Sequence, residues 1–184
     1  MEKNCDEIAY SHHYFQHTYF VVLAWKAIQD VILDNNLITE EEFQKLNQLI
    51  IWHDNSKIDK EEWIPYANRF NPNGKQEISI TKQEFKKAVK LHKAKNLHHF
   101  ESLKTYEGPY WKCYIIEMIC DYIAMGWELG TFIFEYYETH KEEIDLPLEY
   151  QQFLDELLTL LKGPKTKCIG ETLTKKKITE LDLK

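Results

Sequence analysis

The sequence predicts an all-α protein, a bundle of about six to seven helices. Helix breakers are scarce, since 184 residues include six glycines and five prolines, about half of average usage. Apolar residues recur every three or four positions through most of the chain, which is the period of one helix face. The length suits a single domain that can bury a sizeable core.

The N-terminal half contains three predicted helices. The first spans residues 9–33, where apolar side chains recur at intervals of three, four or seven. The second begins at Thr39, which fits a capping box with Glu42, and its apolar stripe continues to His53. A short helix follows over residues 59–70, with an internal proline that makes its continuity uncertain.

The C-terminal half contains the remaining helices. Thr81 begins a helix that runs to about residue 95, again with a capping-box glutamate three residues on. After a loop, residues 110–129 predict a long amphipathic or largely buried helix, followed by further helix to about residue 137. The last helix, residues 147–162, is stopped by Gly-Pro. We therefore predict one helical domain over residues 1–164 and a polar, lysine-rich tail over residues 165–184.

Charge and apolar runs narrow the classes of function. Lysine and arginine number 23 against 30 acidic residues, and the net charge of −7 argues against broad nucleic-acid binding. The longest apolar run, residues 19–25, is far too short to span a membrane. The N-terminal residues lack the apolar segment of a secretory signal, and the four cysteines form no C-x-x-C pair. We expect a cytoplasmic protein without a membrane partner.

Histidines and acids fall in five groups on or just after predicted helices. The groups are His12, His13 and His17; His53 and Asp54; His92; His98 and His99; and Asp121. Imidazole nitrogen and carboxylate oxygen are the ligands that zinc, iron and manganese accept in proteins. Five helical elements that each supply such a side chain favour a shared metal site.

Helical spacing turns several of these side chains toward the core. His17 lies four residues before Val21 on one apolar stripe, and His92 shares a face with Val89. Asp121 lies among apolar neighbours, where an unpaired carboxylate would be costly and would need a cation or hydrogen-bond donors. A lone inward histidine is more often a hydrogen-bonded core residue, and we place His12 and His140 in that class.

The ordered set of His, His-Asp, His, His-His and Asp resembles the HD superfamily of metal-dependent phosphohydrolases. The segment HDNSK, residues 53–57, resembles the H-D-x-x-K element of the binuclear members, which include cyclic-dinucleotide phosphodiesterases. More narrowly, HDNSK, AVKLHKAKNLHH and EMICDYIAM resemble a small uncharacterised family of microbial and phage HD-like proteins. The likeness covers residues 13–137. The chain lacks the Gly-Tyr-Pro element of the cyclic-dinucleotide branch.

This resemblance implies an HD-like bundle around a buried metal site that holds one or two divalent transition-metal ions (Fe, Mn, Zn, Co or Ni). Carried over by position, four residues look like ligands of the first ion: His17, His53, Asp54 and Asp121. His13 is the alternative to His17. His92 and either His98 or His99 would hold a second ion, with Asp54 bridging the two.

The implied reaction is hydrolysis of a phosphomonoester or phosphodiester of a small molecule, such as a nucleotide, by a metal-activated water. Asp54 would act through the metal, and Lys57 would place a cation against a phosphate oxygen. Glu61 would be the proton shuttle or an outer partner, with Glu62 as the alternative. The competing interpretations are an exposed loop lysine and a solvated pair of acids.

Two other functions share the same ligand set. Some HD-like proteins are di-iron oxygenases, which act with O₂ on a small polyol or phosphonate. The domain could also be non-catalytic, with the metal as a structural element of a binding module, because apparent ligands are not proof of turnover.

Overall fold

A computed structural model describes residues 5–69, 81–163 and 166, with side chains from Tyr10 onward. These residues form eight α-helices, one 3₁₀ helix and no strand, which confirms the all-α prediction. The helices are α1 (Cys5–Asp34), α2 (Glu40–Ile51), α3 (Lys60–Arg69), α4 (Lys82–Lys95), α5 (Phe100–Leu103), α6 (Trp111–Leu129), α7 (Ile133–His140) and α8 (Leu148–Leu161), with the 3₁₀ helix at Asn55–Ile58.

The centre of the bundle is α6, which packs against α1, α2, α7 and α8. Its side chains are apolar almost all round, a pattern typical of a fully buried helix. Ile115, Ile116 and Ile123 have no exposed surface, and they contact a core that α1, α2 and α8 complete. The acids in the middle of α6, Glu117 and Asp121, are therefore buried inside the domain.

Both predicted capping boxes are present. At the start of α2 the Thr39 hydroxyl accepts from the amide of Glu42 at 3.2 Å, and the Glu42 carboxylate accepts from the amide of Thr39 at 2.7 Å. At the start of α4 the corresponding distances between Thr81 and Glu84 are 3.1 Å and 2.8 Å. Each box satisfies amides that would otherwise lack a partner, which fixes where these helices begin.

The turn after α2 brings two neighbouring side chains to one place. Asp54 adopts a left-handed backbone, with φ 58° and ψ 18°, and its carbonyl accepts from the amide of Lys57 at 2.8 Å. In a continuous helix, consecutive side chains point about 100° apart. The break at Asp54 allows both His53 and Asp54 to be buried toward the same centre, at 1% and 3% exposure.

Some sequence predictions differ in detail or fall outside the described residues. The short helix α5 was not expected, because four residues are too few to show a period. Most of the predicted tail, 165–184, lies outside the described part of the chain. Thr166 is described, and it is buried with its hydroxyl donating to the carbonyl of Leu161. None of the described helices is long and apolar enough to cross a membrane.

Candidate metal centre

The predicted ligands converge between α1, the turn after α2, α4, the α4–α5 connection and α6. Three overlapping groups of side chains each place their potential ligand atoms within 4.8 Å of one another. The groups are Asp54, His92, His98 and His99; His17, His53 and Asp54; and His53, His98 and Asp121. These buried His/Asp groups could therefore hold a metal ion.

Asp54 lies between two sets of histidines. Its Oδ2 atom is 3.9 Å from Nε2 of His17 and 3.6 Å from Nε2 of His53. Its Oδ1 atom is 3.0 Å from Nε2 of His92 and 3.3 Å from Nε2 of His98. The two carboxylate oxygens thus face different imidazole pairs, which is the arrangement a bridging ligand requires.

Asp121 closes the first set from the central helix. Its Oδ1 atom is 3.1 Å from Nε2 of His17 and 3.7 Å from Nε2 of His53. His17 is buried and lies in the cluster, whereas His13 is half-buried and outside the three groups. The structure therefore favours His17 over His13. In the second set it brings in both His98 and His99.

Three glutamates lie beside the Nδ1 atoms of four of these histidines. Glu117 Oε1 lies 3.0 Å from Nδ1 of His53 and 3.3 Å from Nδ1 of His98. Metal-binding histidines commonly donate their second ring N–H to a carboxylate, which fixes the tautomer and the ring orientation. The remaining two pairs are Glu62 Oε2 to His92 Nδ1 at 2.8 Å and Glu128 Oε1 to His17 Nδ1 at 3.3 Å, the second of which is an ion-pair contact without hydrogen-bond geometry.

Sequence reasoning did not assign a role to Glu117 or Glu128. Their spacing from Asp121, four residues before and seven after, places all three on one face of α6. Because the rest of this helix is apolar almost all round, three acids on one face could have indicated from the sequence that this face borders a polar site.

Glu61 is not brought to the cluster, so its assignment as a catalytic residue is corrected. Its side chain is 77% exposed, with its carboxylate 3.9 Å from the Lys95 ammonium. Glu62 is fully buried and contacts His92 instead. Consecutive helical residues point about 100° apart, so only one of the pair can face the site.

Lys57 is a cation beside the cluster, with a side chain that is 17% exposed. Its ammonium is paired with Asp54 Oδ2, and it lies 5.2 Å from the centroid of the Tyr66 ring. Burial acts to lower the pKa of Lys57, but the charge of Asp54 and the hydrogen bond to it, together with Tyr66 and Asp121, outweigh burial and raise the pKa above its usual value. Lys57 is therefore a permanent positive charge and not an exposed loop residue.

Strong mutual electrostatics hold this cluster ionised. Burial acts against the charged forms, yet Asp121 and Glu128 raise the pKa of His17 to about 9, and Asp54 together with Asp121 raises the pKa of His53 to about 9. Burial likewise opposes ionisation of Asp54, but Lys57 and His53 hold its pKa well below the usual value.

The acids on α6 are shifted in the same direction as Asp54. Burial raises the pKa of Glu117, but His98 and His53 together bring it down to about 2. His99 behaves differently from His17 and His53, because burial and the neighbouring His98 lower its pKa to about 2. His99 is thus a neutral imidazole, whose lone pair can serve a cation.

The donor set fits a transition-metal ion. Several buried nitrogen and oxygen atoms of the cluster have no partner with hydrogen-bond geometry among the described residues: His53 Nε2, Asp54 Oδ1, His98 Nε2 and His99 Nε2. Buried polar atoms are seldom left in this way, and each such atom calls for an explanation. Mixed imidazole and carboxylate donors are the ligand type for zinc, iron, manganese and related ions.

A pocket of about 500 Å³ leads to the cluster. His17, Asp54, His92, His99 and Asp121 line one part of it. The remaining walls carry two lysines, several aromatic rings, apolar side chains, one threonine and one glutamate: Lys57, Lys93, Tyr66, Phe100, Tyr122, Tyr136, His140, Val89, Met125, Leu129, Thr131 and Glu101. A small molecule that entered this pocket would therefore contact the candidate metal ligands directly.

Fold and site together define an all-helical protein with a buried His/Asp cluster able to hold metal. The chain matches a described protein family over residues 6–173, and it belongs to that family, the Family of unknown function (DUF5662). No curated protein and no solved structure gives a significant match to the chain.

Proposed function

We propose that this protein is an HD-type metal-dependent phosphohydrolase that acts on a small phosphorylated molecule. The single observation that carries the proposal is the position of Asp54, whose two carboxylate oxygens face two different histidine pairs inside a pocket that also contains Lys57. Bridging carboxylates of this kind occur where two ions act on one phosphoryl group.

Charge balance supports a site for two divalent ions. Five carboxylates lie in or directly behind the cluster, each at most 12% exposed: Asp54, Glu62, Glu117, Asp121 and Glu128. Among the described residues Lys57 is the lysine inside the cluster, while Lys95, which reaches Glu62, is also paired with Asp59 nearer the surface. Once bound ions displace the protons of His17 and His53, two divalent ions and Lys57 would balance the five negative charges.

The residues that would hold the ions are His17, His53 and Asp121 on one side and His92, His98 and His99 on the other, with Asp54 shared. When bound, a divalent ion lowers the pKa of a coordinated water and neutralises charge on phosphoryl oxygens. The protein itself orients these ligands through Glu62, Glu117 and Glu128.

Lys57 has a separate part in this proposal. Its charge is fixed by Asp54, and its ammonium lies on the pocket wall beside the same carboxylate. A preorganised cation in this position attracts a phosphate oxygen and stabilises the negative charge of the transition state. This feature favours an anionic substrate over a neutral polyol.

The test combines metal content with phosphate release. Protein purified without chelator is expected to contain at least one transition-metal ion per chain and to release phosphate from a panel of phosphomonoesters and phosphodiesters. His17→Gln and Asp54→Asn should lower the metal content and reduce phosphate release more than about 100-fold. His12→Gln is the matched control and should retain both. His12 is exposed and lies outside the three groups, so its prediction as a core histidine is wrong.

Two results would overturn the proposal. Equal metal content in the wild type and in both site variants would show that His17 and Asp54 do not bind the metal. Metal bound at the site, without phosphate release from any ester of the panel, would refute the proposed hydrolase activity. Oxygen consumption by an iron-loaded protein would then support the oxygenase interpretation.

A further inference from the structure

The pocket next to the metal centre is larger and more apolar than a bare phosphate needs. Its volume of about 500 Å³ lies within the range of sites for whole small molecules. Beyond the ligands, α6 contributes Tyr122, Met125 and Leu129 to the wall. Their spacing of three and four places these side chains on the helix face that follows Asp121.

Two of these wall residues are apolar side chains left open to solvent. Met125 is 38% exposed and Leu129 is 69% exposed. They lie one and two helical turns beyond Asp121, about 6 Å and 12 Å along the α6 axis. This span is comparable to the length of an aromatic ring joined to a phosphate whose oxygens are held at the metal end.

An array of adjacent rings forms the neighbouring wall. The ring centroids of Tyr122 and Tyr136 are 4.9 Å apart with planes inclined by 52°, and those of Tyr136 and His140 are 4.3 Å apart with planes inclined by 16°. His140 Nδ1 is 2.9 Å from the carbonyl of Tyr136 and 2.8 Å from the hydroxyl of Thr139, which fixes the ring plane. Rigid ring faces of this kind bind flat groups by offset or edge contacts.

The turn between α6 and α7 holds this ring array in place. Gly130 ends α6 in the left-handed conformation, φ 74°, and its amide donates to the carbonyl of Gly126 at 2.8 Å. A Cβ atom on Gly126 would lie 2.8 Å from the carbonyl oxygen of Thr131, so glycine there allows the close return of the chain. The wall is therefore part of the folded scaffold.

We propose that the wall formed by Tyr122, Met125, Leu129, Tyr136 and His140 is a subsite for a flat, largely apolar ring attached to the phosphate of the substrate. This inference rests on the proposed function, because the metal end supplies the position of the phosphate. The substrate class is accordingly phosphoesters of aromatic or heteroaromatic groups. Phosphoesters of short polar alcohols would leave the apolar wall open to water.

Binding of two non-hydrolysable probes to the manganese-loaded protein tests this subsite by calorimetry. Phenylphosphonate should bind about tenfold more tightly than methylphosphonate, from burial of the ring against the wall. The double variant Met125→Ser/Leu129→Ser should reduce that preference to below about threefold. Leu148→Ser, which alters a leucine that is 74% exposed and outside the pocket lining, should keep the full preference.

The inference is overturned if the wild type binds both phosphonates equally, if it binds neither, or if the double variant keeps the tenfold preference. The probes also separate this inference from the proposed function. A preference for phenylphosphonate in a protein that hydrolyses no phosphoester would support the subsite and refute the hydrolase activity. Hydrolysis with equal affinity for the two probes would support the hydrolase activity and refute the subsite.

Discussion

Replacing Glu62 by glutamine removes one buried charge beside the candidate centre and keeps the side-chain volume. Glu62 Oε2 lies 2.8 Å from Nδ1 of His92 and accepts from the hydroxyl of Ser56 at 2.9 Å. The opposite ring nitrogen of His92 is directed at Asp54 Oδ1, 3.0 Å away. The carboxylate thus fixes the histidine in the orientation that presents Nε2 to a cation.

The expected loss follows from burial. Outer partners of metal-binding histidines contribute about 10–100-fold in metal affinity, or about 1.4–2.8 kcal/mol. Glu62 is fully buried, so water cannot replace the lost charge, and we expect a loss near the upper end of that range. Glu61→Gln is the matched control, because the same change at a 77% exposed side chain should alter affinity less than about twofold.

The assay is a competition titration of manganese or zinc against a chromophoric chelator. Circular dichroism of the chelator-treated proteins shows whether both variants keep their helices, so that a loss of affinity is not a loss of folding. Equal affinities for Glu62→Gln and the wild type would refute the role of Glu62. Equal losses in Glu61→Gln and Glu62→Gln would refute the distinction between the two residues.

Three further outcomes follow from the same geometry. Because His17 and His53 have a folded pKa of about 9 against about 6.5 unfolded, chelator-treated protein should lose stability as pH rises from about 6.5 to 9. Metal affinity should rise over that range, since a cation competes with these protons. Urea unfolding measures the stability and metal titration measures the affinity, each at several pH values. Slopes of the opposite sign would contradict the raised pKa values of His17 and His53. Lys57→Met should lower the free energy of unfolding of chelator-treated protein by about 3 kcal/mol, because the buried carboxylate of Asp54 loses its partner. A decrease of less than about 1 kcal/mol in urea unfolding would contradict this prediction. Thr81→Ala should cost about 1 kcal/mol in urea unfolding, and Thr81→Ser, which keeps the capping hydroxyl, much less; equal losses would exclude the cap as the cause.

Local signals in the sequence were enough to predict most of the fold. The helix starts at Thr39 and Thr81 depend on side chains within three residues, so a capping box can be recognised without tertiary information. The long central helix was predicted at 110–129 and is observed at Trp111–Leu129, because a run of apolar residues admits few other structures. The arrangement of the helices around it depends on packing that no single segment contains.

Three of the candidate ligands, His17, His92 and Asp121, could be predicted because each lies on the apolar face of a helix, where a buried polar side chain requires a partner. In the structure His17 contacts Asp121 and His92 contacts Asp54, so all three enter the same cluster. The outer glutamates could not be assigned in the same way. Glu61 and Glu62 are the same amino acid on one helix, and only the packing of that helix decides which of them faces the cluster. Glu117 contacts histidines that lie 64 and 19 residues away along the chain, so its role cannot be inferred from its own segment.

The left-handed backbone at Asp54 restricts the amino acids that this position can accept. Among residues with a Cβ atom, asparagine and aspartate enter this conformation most readily, and others incur roughly 1–2 kcal/mol of strain. With φ at 58°, an alanine variant would combine backbone strain with the loss of a carboxylate, whereas asparagine removes the charge alone. Position 54 therefore has two separate requirements, a left-handed backbone and a carboxylate, and of the residues with a Cβ atom that adopt this backbone readily, aspartate alone also supplies the charge.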